Sequence, residues 1–235
     1  MLNTNLNANR LLALLPPATL EAITTPYLKL RDLPFGTVVA ETQGPMQEVF
    51  FPHTGVISLV VELKDGDMLE TAMIGRDGAV GIASALDGKL SLNKAIVQIA
   101  GTASVIKAEK LRDFALSDQD FHSRLIRHEQ VLFAAVQQSA ACNASHTVEA
   151  RLCRWLLRMR DLAGDDLSVT QEFLGQMLGV RRTSVSLVAG TLQAANLIRY
   201  RRGHVRIVDV DGLKEAACEC YETVNAHYDL LFHAK

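Results

Sequence analysis

A chain of 235 residues with 49% hydrophobic and 21% charged side chains is long enough for two ordinary domains and apolar enough to fill their cores, which excludes a disordered chain. Its 24 basic and 26 acidic residues leave a formal charge of −2, so the total charge points to no polyanionic or polycationic partner. The opening MLNTNLNANR lacks the basic start and apolar run of a secretory signal. The least charged stretch, 130–148, carries Gln137, Gln138, Asn143 and His146, too many polar groups for a membrane span. Cytoplasmic residence is therefore expected, with Cys142, Cys153, Cys218 and Cys220 as reduced thiols, since they are few and contain no CxxC pair.

From Leu33 to Leu111 short apolar runs (TVVAE, EVFFP, GVISLVVEL, MLETAMIG, KAIVQIAGTASVIKAEKL) alternate with Gly- and Pro-rich breakers, the pattern of an all-β barrel or sandwich. The clearest hairpin is LKDGDMLE, where Asp65-Gly66 supplies a turn between two strands. After Ser117, read as an N-cap, helical periodicity runs without Gly or Pro to Gly164. A first helix over 118–144 has an uncharged end whose two faces both need cover. Leu125, Leu132 and Ser139 recur every seven, with His128, Ala135 and Cys142 between them, and this predicts a coiled-coil-like seam with a second copy; a purely intrachain core helix is the alternative. A second helix over 147–163 places Val148, Leu152, Trp155, Leu156 and Met159 on one face and Arg151, Arg154 and Arg158 on the other, read as solvated surface.

SVTQEFLGQMLGVRRTSVSLVAGTLQAANL then reads as two short helices about a tight turn. Thr170 caps the first, with Ser168 and Gln171 as a competing capping box, and Gly179 suits the left-handed residue past its end. The second starts at Arg181 or Arg182, buries Val185, Val188, Ala189 and Leu192, and leaves Thr183, Leu187 and Gly190 on the free face, with Arg182 and Ser186 flanking it. Six arginines (Arg181, Arg182, Arg199, Arg201, Arg202, Arg206) face one carboxylate, Glu172, between Ser168 and Val208, the footprint of a nucleic-acid contact. NLIRYRRGHVRIVD follows as a basic hairpin turning at Arg202-Gly203, so the unit is a helix-turn-helix with a wing. The predicted DNA contacts are Thr170, Gln171, Arg181, Arg182, Thr183, Ser184, Ser186, Leu187, Arg202 and His204. Arg182, at the start of the second helix, is placed for guanine.

On TQEFLGQMLGVRRTSVSLVAGTLQAANLI the chain resembles Crp/Fnr family transcriptional regulators, and more loosely so over about Leu30 to Val210. The resemblance implies an α+β protein: an N-terminal jelly-roll β-barrel of cyclic-nucleotide-binding type (1–117), a long dimerisation helix (118–145) and a C-terminal winged helix-turn-helix domain (146–235). It implies a homodimer on palindromic double-stranded DNA, with RNA polymerase as a further partner and no membrane. The dimer seam is expected at Leu125, Leu132, Ala135, Ser139 and Cys142. In the cyclic-AMP-responsive members an arginine reads guanine where Arg182 stands; Thr183 replaces a glutamate and Leu187 a long polar reader, so the resemblance implies a different operator, with Leu187 at a thymine methyl and Arg181 on a phosphate.

The effector-pocket candidates are Glu70, Gly78, Ala79, Val80, Gly81 and Lys94, and the stretch corresponding to the family's phosphate cassette is IGRDGAVGIASAL. Ala79 stands where nucleotide-binding members carry a glutamate, and GKLSLNKAIVQI has no arginine, with Arg76, Lys89 and Lys94 as the available charges. Neither a cyclic nucleotide nor an iron-sulfur cluster is expected, the first cysteine being Cys142, and the effector is left unidentified. His53 after Pro52 is a candidate haem ligand, read by default as a loop residue. Cys218 and Cys220, taken as i and i+2 on one helix over 212–232 capped by Asp211, point about 200° apart, so no metal site is expected. That helix, with Leu213, Ala216, Ala217, Tyr221, Val224 and Tyr228 as its stripe, is expected to pack back on the protein. A jelly-roll enzyme and a small-molecule-binding module without DNA activity are the rival readings. The first lacks a metal-spaced His/Glu set or a nucleophile-base motif, and the basic helix-turn-helix argues against the second.

Overall fold

The computed structural model describes residues 8–88 and 90–233; Lys89 lies outside the described residues. Two helices that the β-rich reading passes over come first, α1 (Arg10–Ala13) and α2 (Pro17–Tyr27). Asn9 caps α1 by accepting from the Leu11 and Leu12 amides, and its Nδ2 donates to the carbonyls of Pro52 (2.8 Å) and Gly78 (2.9 Å), tying α1 to the end of a strand and to the loop that holds Gly78.

Seven strands follow: β1 (Lys29–Leu33), β2 (Val38–Ala40), β3 (Glu48–Pro52), β4 (Val56–Glu62), β5 (Met68–Ile74), β6 (Lys94–Ile99) and β7 (Gly101–Lys107). They form two antiparallel sheets, ordered β1-β7-β3 and β2-β6-β4-β5. Alternate residues of both point inward, so Phe50, Ile57, Leu59, Ile74, Val97 and Val105 make one core between them. The arrangement is a jelly roll with open sheet edges rather than a closed barrel. Gly66, at φ 88°, makes the β4–β5 turn that Asp65-Gly66 predicts. The apolar run ending at Leu111 divides where Lys107 caps α3 (Ala108–Ser117), whose Leu111 and Ala115 enter a second core with Phe51, Ile82, Phe121 and Leu125.

The long helix α4 spans Gln119–Ser145 and is capped by Asp118, which accepts from the Phe121 amide, while Ser117 instead donates to the Phe114 carbonyl. The seven-residue repeat marks its inward face. Leu125 lies in the α3 core, Leu132 packs on the jelly-roll core, Ala135 meets Val224 and Tyr228, and Ser139 and Cys142 are buried within the same chain. The predicted seam is therefore corrected: a helix lying on a domain spends its most regular apolar stripe on that domain, and the outward face carries Ile126, Gln130, Phe133, Gln137, Ala140 and Ala144.

Helix α5 (Val148–Ala163), capped by Thr147, is covered on both sides. Leu152, Trp155, Leu156 and Met159 face a core shared with the C-terminal domain and with Val56, Val60 and Met73 of the jelly roll. The arginine stripe is not solvated surface. Arg151 is buried and donates to the Leu178 carbonyl, and Arg158 is buried against Asp77 at 2.7 Å and under the Tyr228 ring, 4.4 Å from its centroid. A polar stripe predicts water only when no second layer packs over it, and here α6 covers Arg151 while β5 and the loop after it cover Arg158.

The C-terminal domain continues with β8 (Asp166–Leu167), α6 (Gln171–Leu178), α7 (Arg182–Ala194), β9 (Ile198–Arg201) and β10 (His204–Ile207), the strands ordered β8-β10-β9. The single terminal helix expected over 212–232 is two: α8 (Val210–Ala216), capped by Asp209 rather than Asp211, and α9 (Cys220–His233). The chain breaks at 217–219 because the two halves serve different neighbours. Leu213 enters the α5 core, whereas Val224, Tyr228 and Leu231 lie along α4. Cys218 falls in the break, so the assumption that it shares a helix with Cys220 does not hold.

Candidate nucleic-acid interface

Thr170 caps α6 by accepting from the Phe173 amide at 3.1 Å, and Leu174, Met177 and Leu178 bury its inner face. Gly179 ends it at φ 63° and ψ 40°, the left-handed turn that glycine adopts without steric cost. Gly175 is required by a different contact: a Cβ there would lie 2.8 Å from the Val180 carbonyl oxygen, so the following turn folds directly over the helix. Helix α7 leaves that turn with Arg181 as its N-cap and Val185, Ala189 and Leu192 buried against α5 and α6.

The other face of α7 is bare. Leu187 is 74% exposed, and Arg181, Arg182, Thr183 and Gly190 are exposed with it. Arg182 has only a 3.9 Å approach to Glu172 between two exposed side chains, a contact of little energy that frees the guanidinium for another partner. The remaining predicted contacts divide. Ser186 donates to Gln171 Oε1 at 2.5 Å, and the Gln171 amide donates to the Tyr200 hydroxyl at 3.1 Å, so these two brace α6 against α7 and the wing. Thr170 is committed to its cap and Ser184 is half-buried in the first turn of α7. Arg202, at φ 47°, and Gly203, at φ 81°, form the wing tip, with Arg199, Arg201 and Arg206 exposed along its strands; His204 Nδ1 lies 3.2 Å from the Ser168 hydroxyl. The arginines of the helix start and of the wing are all exposed.

The predicted effector residues do not gather at one place. Ala79, Val80 and Gly81 line a cavity of about 430 Å³ with Leu59, Ile74, Leu132 and Glu129. Gly78 lies behind it, where a Cβ would come within 2.7 Å of His128 Nε2. The Ala79 amide donates to that nitrogen at 3.1 Å, and His128 Nδ1, which then carries the ring proton, lies 3.1 Å from Glu129 Oε1. The loop is thus bonded to a buried side chain of α4, a link with no motif to announce it. Lys94 is outside the cavity, paired with Glu62 at 2.8 Å, and Arg76 donates to the Asp161 carbonyl at 3.3 Å. Glu70 faces α5, where Trp155 Nε1 donates to it at 2.8 Å and Ser58 also donates; enclosure raises its carboxyl from the usual 4.5 to about 7. His53 is buried with its Nε2 against the Ser104 hydroxyl at 2.9 Å, and burial lowers its pKa.

A braced pair of helices with an open second helix and a basic wing, carried behind a jelly roll, is the winged helix-turn-helix arrangement. Residues 150–216 match the Crp-like helix-turn-helix domain. The fold is that of Crp/Fnr regulators: FixK2 from Bradyrhizobium japonicum superposes with a TM-score of 0.70 at 15% identity over 81% of this chain and 98% of that one. A Crp/Fnr family transcriptional regulator from Eubacterium rectale gives 0.66 at 16% over 89% and 98%, and a CRP-family regulator from Thermus thermophilus gives 0.65 at 20% over 80% and 96%. None of the curated proteins matches the chain in sequence. The chain therefore carries a Crp-like helix-turn-helix domain on the fold of the Crp/Fnr transcription regulators.

Proposed function

We propose that the protein is a homodimeric, sequence-specific DNA-binding regulator that acts in the cytoplasm on a palindromic operator. The observation that carries this is the bare face of α7, with Arg182 at its N-terminus and a basic wing beside it. An arginine there reaches guanine O6 and N7 in the major groove, while helix amides and wing arginines take phosphates. The second copy docks on the outward face of α4, through Ile126 (41% exposed) and Phe133 (63% exposed), and sets two α7 helices one helical turn apart. RNA polymerase is the further partner on which such a regulator acts.

The effector site is the cavity beside Ala79–Gly81. Among the described residues its walls are apolar apart from small polar groups and Glu129, so it suits an uncharged or cationic small molecule better than a cyclic phosphate. An occupant that moves the 78–81 loop shifts the amide bonded to His128 and with it α4, which biases the dimer geometry as a population shift. This is binding and switching rather than catalysis. Selection of fragmented genomic DNA by the purified protein tests the reading: an enriched palindrome with half-sites a turn apart is expected. No enrichment at moderate salt, with or without cell extract, would overturn it.

A further inference from the structure

Cys142 lies in the last turn of α4 and His146 is the extended residue just past its end, its amide donating to the Cys142 carbonyl at 3.0 Å, while Cys218 in the break after α8 and Cys220 at the start of α9 face them. The four ligand atoms all lie within 4.8 Å of one another. Cys142 Sγ and Cys218 Sγ are 3.5 Å apart, and Cys220 Sγ is 3.6 Å from His146 Nδ1. A tetrahedral ion with bonds of about 2.3 Å has ligand–ligand edges of roughly 3.7 Å, so two edges are already of that length. We propose that Cys142, His146, Cys218 and Cys220 form a closed, four-coordinate zinc site that clamps the end of the long helix to the segment following the wing.

The surroundings are those of a metal centre. His146 turns Nδ1 toward the thiols, while its Nε2 lies 3.2 Å from Glu219 Oε1, the carboxylate–imidazole pairing that orients a metal-bound histidine. Gln138 Nε2 lies 3.0 Å from Cys220 Sγ, a hydrogen bond that stabilises a thiolate. The three sulfurs belong to buried residues. Binding is balanced as Zn2+ plus three thiols and a neutral imidazole giving a Zn(Cys)3(His) centre of charge −1 and three released protons. Arg151 and Arg154 supply nearby positive charge. Packing alone accounts for small buried thiols, and a Cys142–Cys218 disulfide would use two of the four ligands; neither explains why His146, Glu219 and Gln138 are aimed as they are.

Cys142 and Cys220 bracket the whole winged domain, so the ion closes the chain on both sides of it. The site stands on its own geometry, and only its effect on DNA rests on the function proposed above. The full-length protein, purified under argon with reductant, is expected to hold one zinc per chain by elemental analysis. After chelation, Co2+ should titrate to one equivalent with the visible bands of tetrahedral cobalt and thiolate charge transfer. Replacing Cys218 and Cys220 together by serine should drop zinc below about a tenth of an equivalent, while Cys153→Ala, a buried thiol outside the cluster, keeps it. Glu219→Gln should weaken zinc about 10- to 100-fold in competition with a chelator and guards against the double variant's failing to fold. Wild-type protein without zinc and without cobalt uptake would refute the site. So would iron with sulfide, a Cys142–Cys218 disulfide in the reduced preparation, or full zinc in the double variant. Each readout is independent of DNA binding.

Discussion

Arg182 and Arg202 are both exposed arginines in a basic region, and their positions separate them. One opens a helix with a bare face; the other sits at a turn tip. Arg182→Ala is expected to flatten base preference at one operator position, a loss of about 1–3 kcal/mol of discrimination. Arg202→Ala should weaken all sequences evenly and reduce the salt slope by about one. Binding measured on operator variants across a salt series separates the two, and equal losses everywhere for both variants would refute the division. Both positions are legible in the sequence: glycine at 179 and the Val185-Ala189-Leu192 spacing place Arg182 at the helix start, and Arg202-Gly203 marks the hairpin turn. Ser186 and Gln171 read as DNA contacts on the same grounds. Their mutual hydrogen bond depends on how α6 crosses α7, which periodicity does not contain.

Among the elements, α4 shows how far periodicity reaches. Its existence follows from a long run free of Gly and Pro, but its seven-residue repeat, which by itself points to a partner, belongs to the chain's own cores. The outward stripe is less regular, with Ile126 and Phe133 separated by Gln130 and followed by Gln137 and Ala140. Phe133→Glu places a charge at the centre of that face without touching the inner one. It is expected to convert dimer to monomer in sedimentation equilibrium, with helix content unchanged and operator affinity reduced at least about tenfold. A monomer at the same concentration before the substitution would remove the dimer from the account. The split between α8 and α9 is hidden for a related reason: the apolar stripe from Leu213 to Tyr228 is nearly continuous, and only the two different neighbours, α5 and α4, force the break.

At the scale of the whole molecule, the jelly roll and the winged domain are joined by polar contacts set in a shared apolar core. Arg158 pairs with Asp77, Trp155 bonds Glu70, and a Cβ on Gly75 would lie 2.9 Å from Leu162, so the surfaces are in close contact. Glu70 gives this junction a pH dependence whose sign is determined. The folded chain keeps the carboxyl protonated up to about pH 7, whereas the unfolded chain releases that proton near 4.5. Folding therefore binds a proton between these values, and stability falls as pH rises from about 4.5 to about 7, by at most on the order of 3 kcal/mol. Glu70→Gln keeps an acceptor for Trp155 and a polar partner for Ser58, so it should flatten that part of the pH profile of denaturant unfolding. Identical wild-type and variant profiles across about pH 5–7 would show that the carboxyl ionises freely.

Residue order alone establishes what is local. Caps, turn glycines, the two helix periods and the Arg-rich hairpin each act over a few neighbouring residues, and they suffice for the winged helix-turn-helix and for the face of α7 that Arg182 commands. The tertiary structure decides which of several apolar or charged stripes meets what. It turns Arg151 and Arg158 inward, moves Glu70 from a pocket to a junction, binds the Ala79 amide to His128 across 49 residues and brings Cys142 to Cys218 across 76. A hydrophobic stripe specifies that a surface must be covered but not by which partner, because burial is non-directional, and the partner is chosen only when every element competes for the same space.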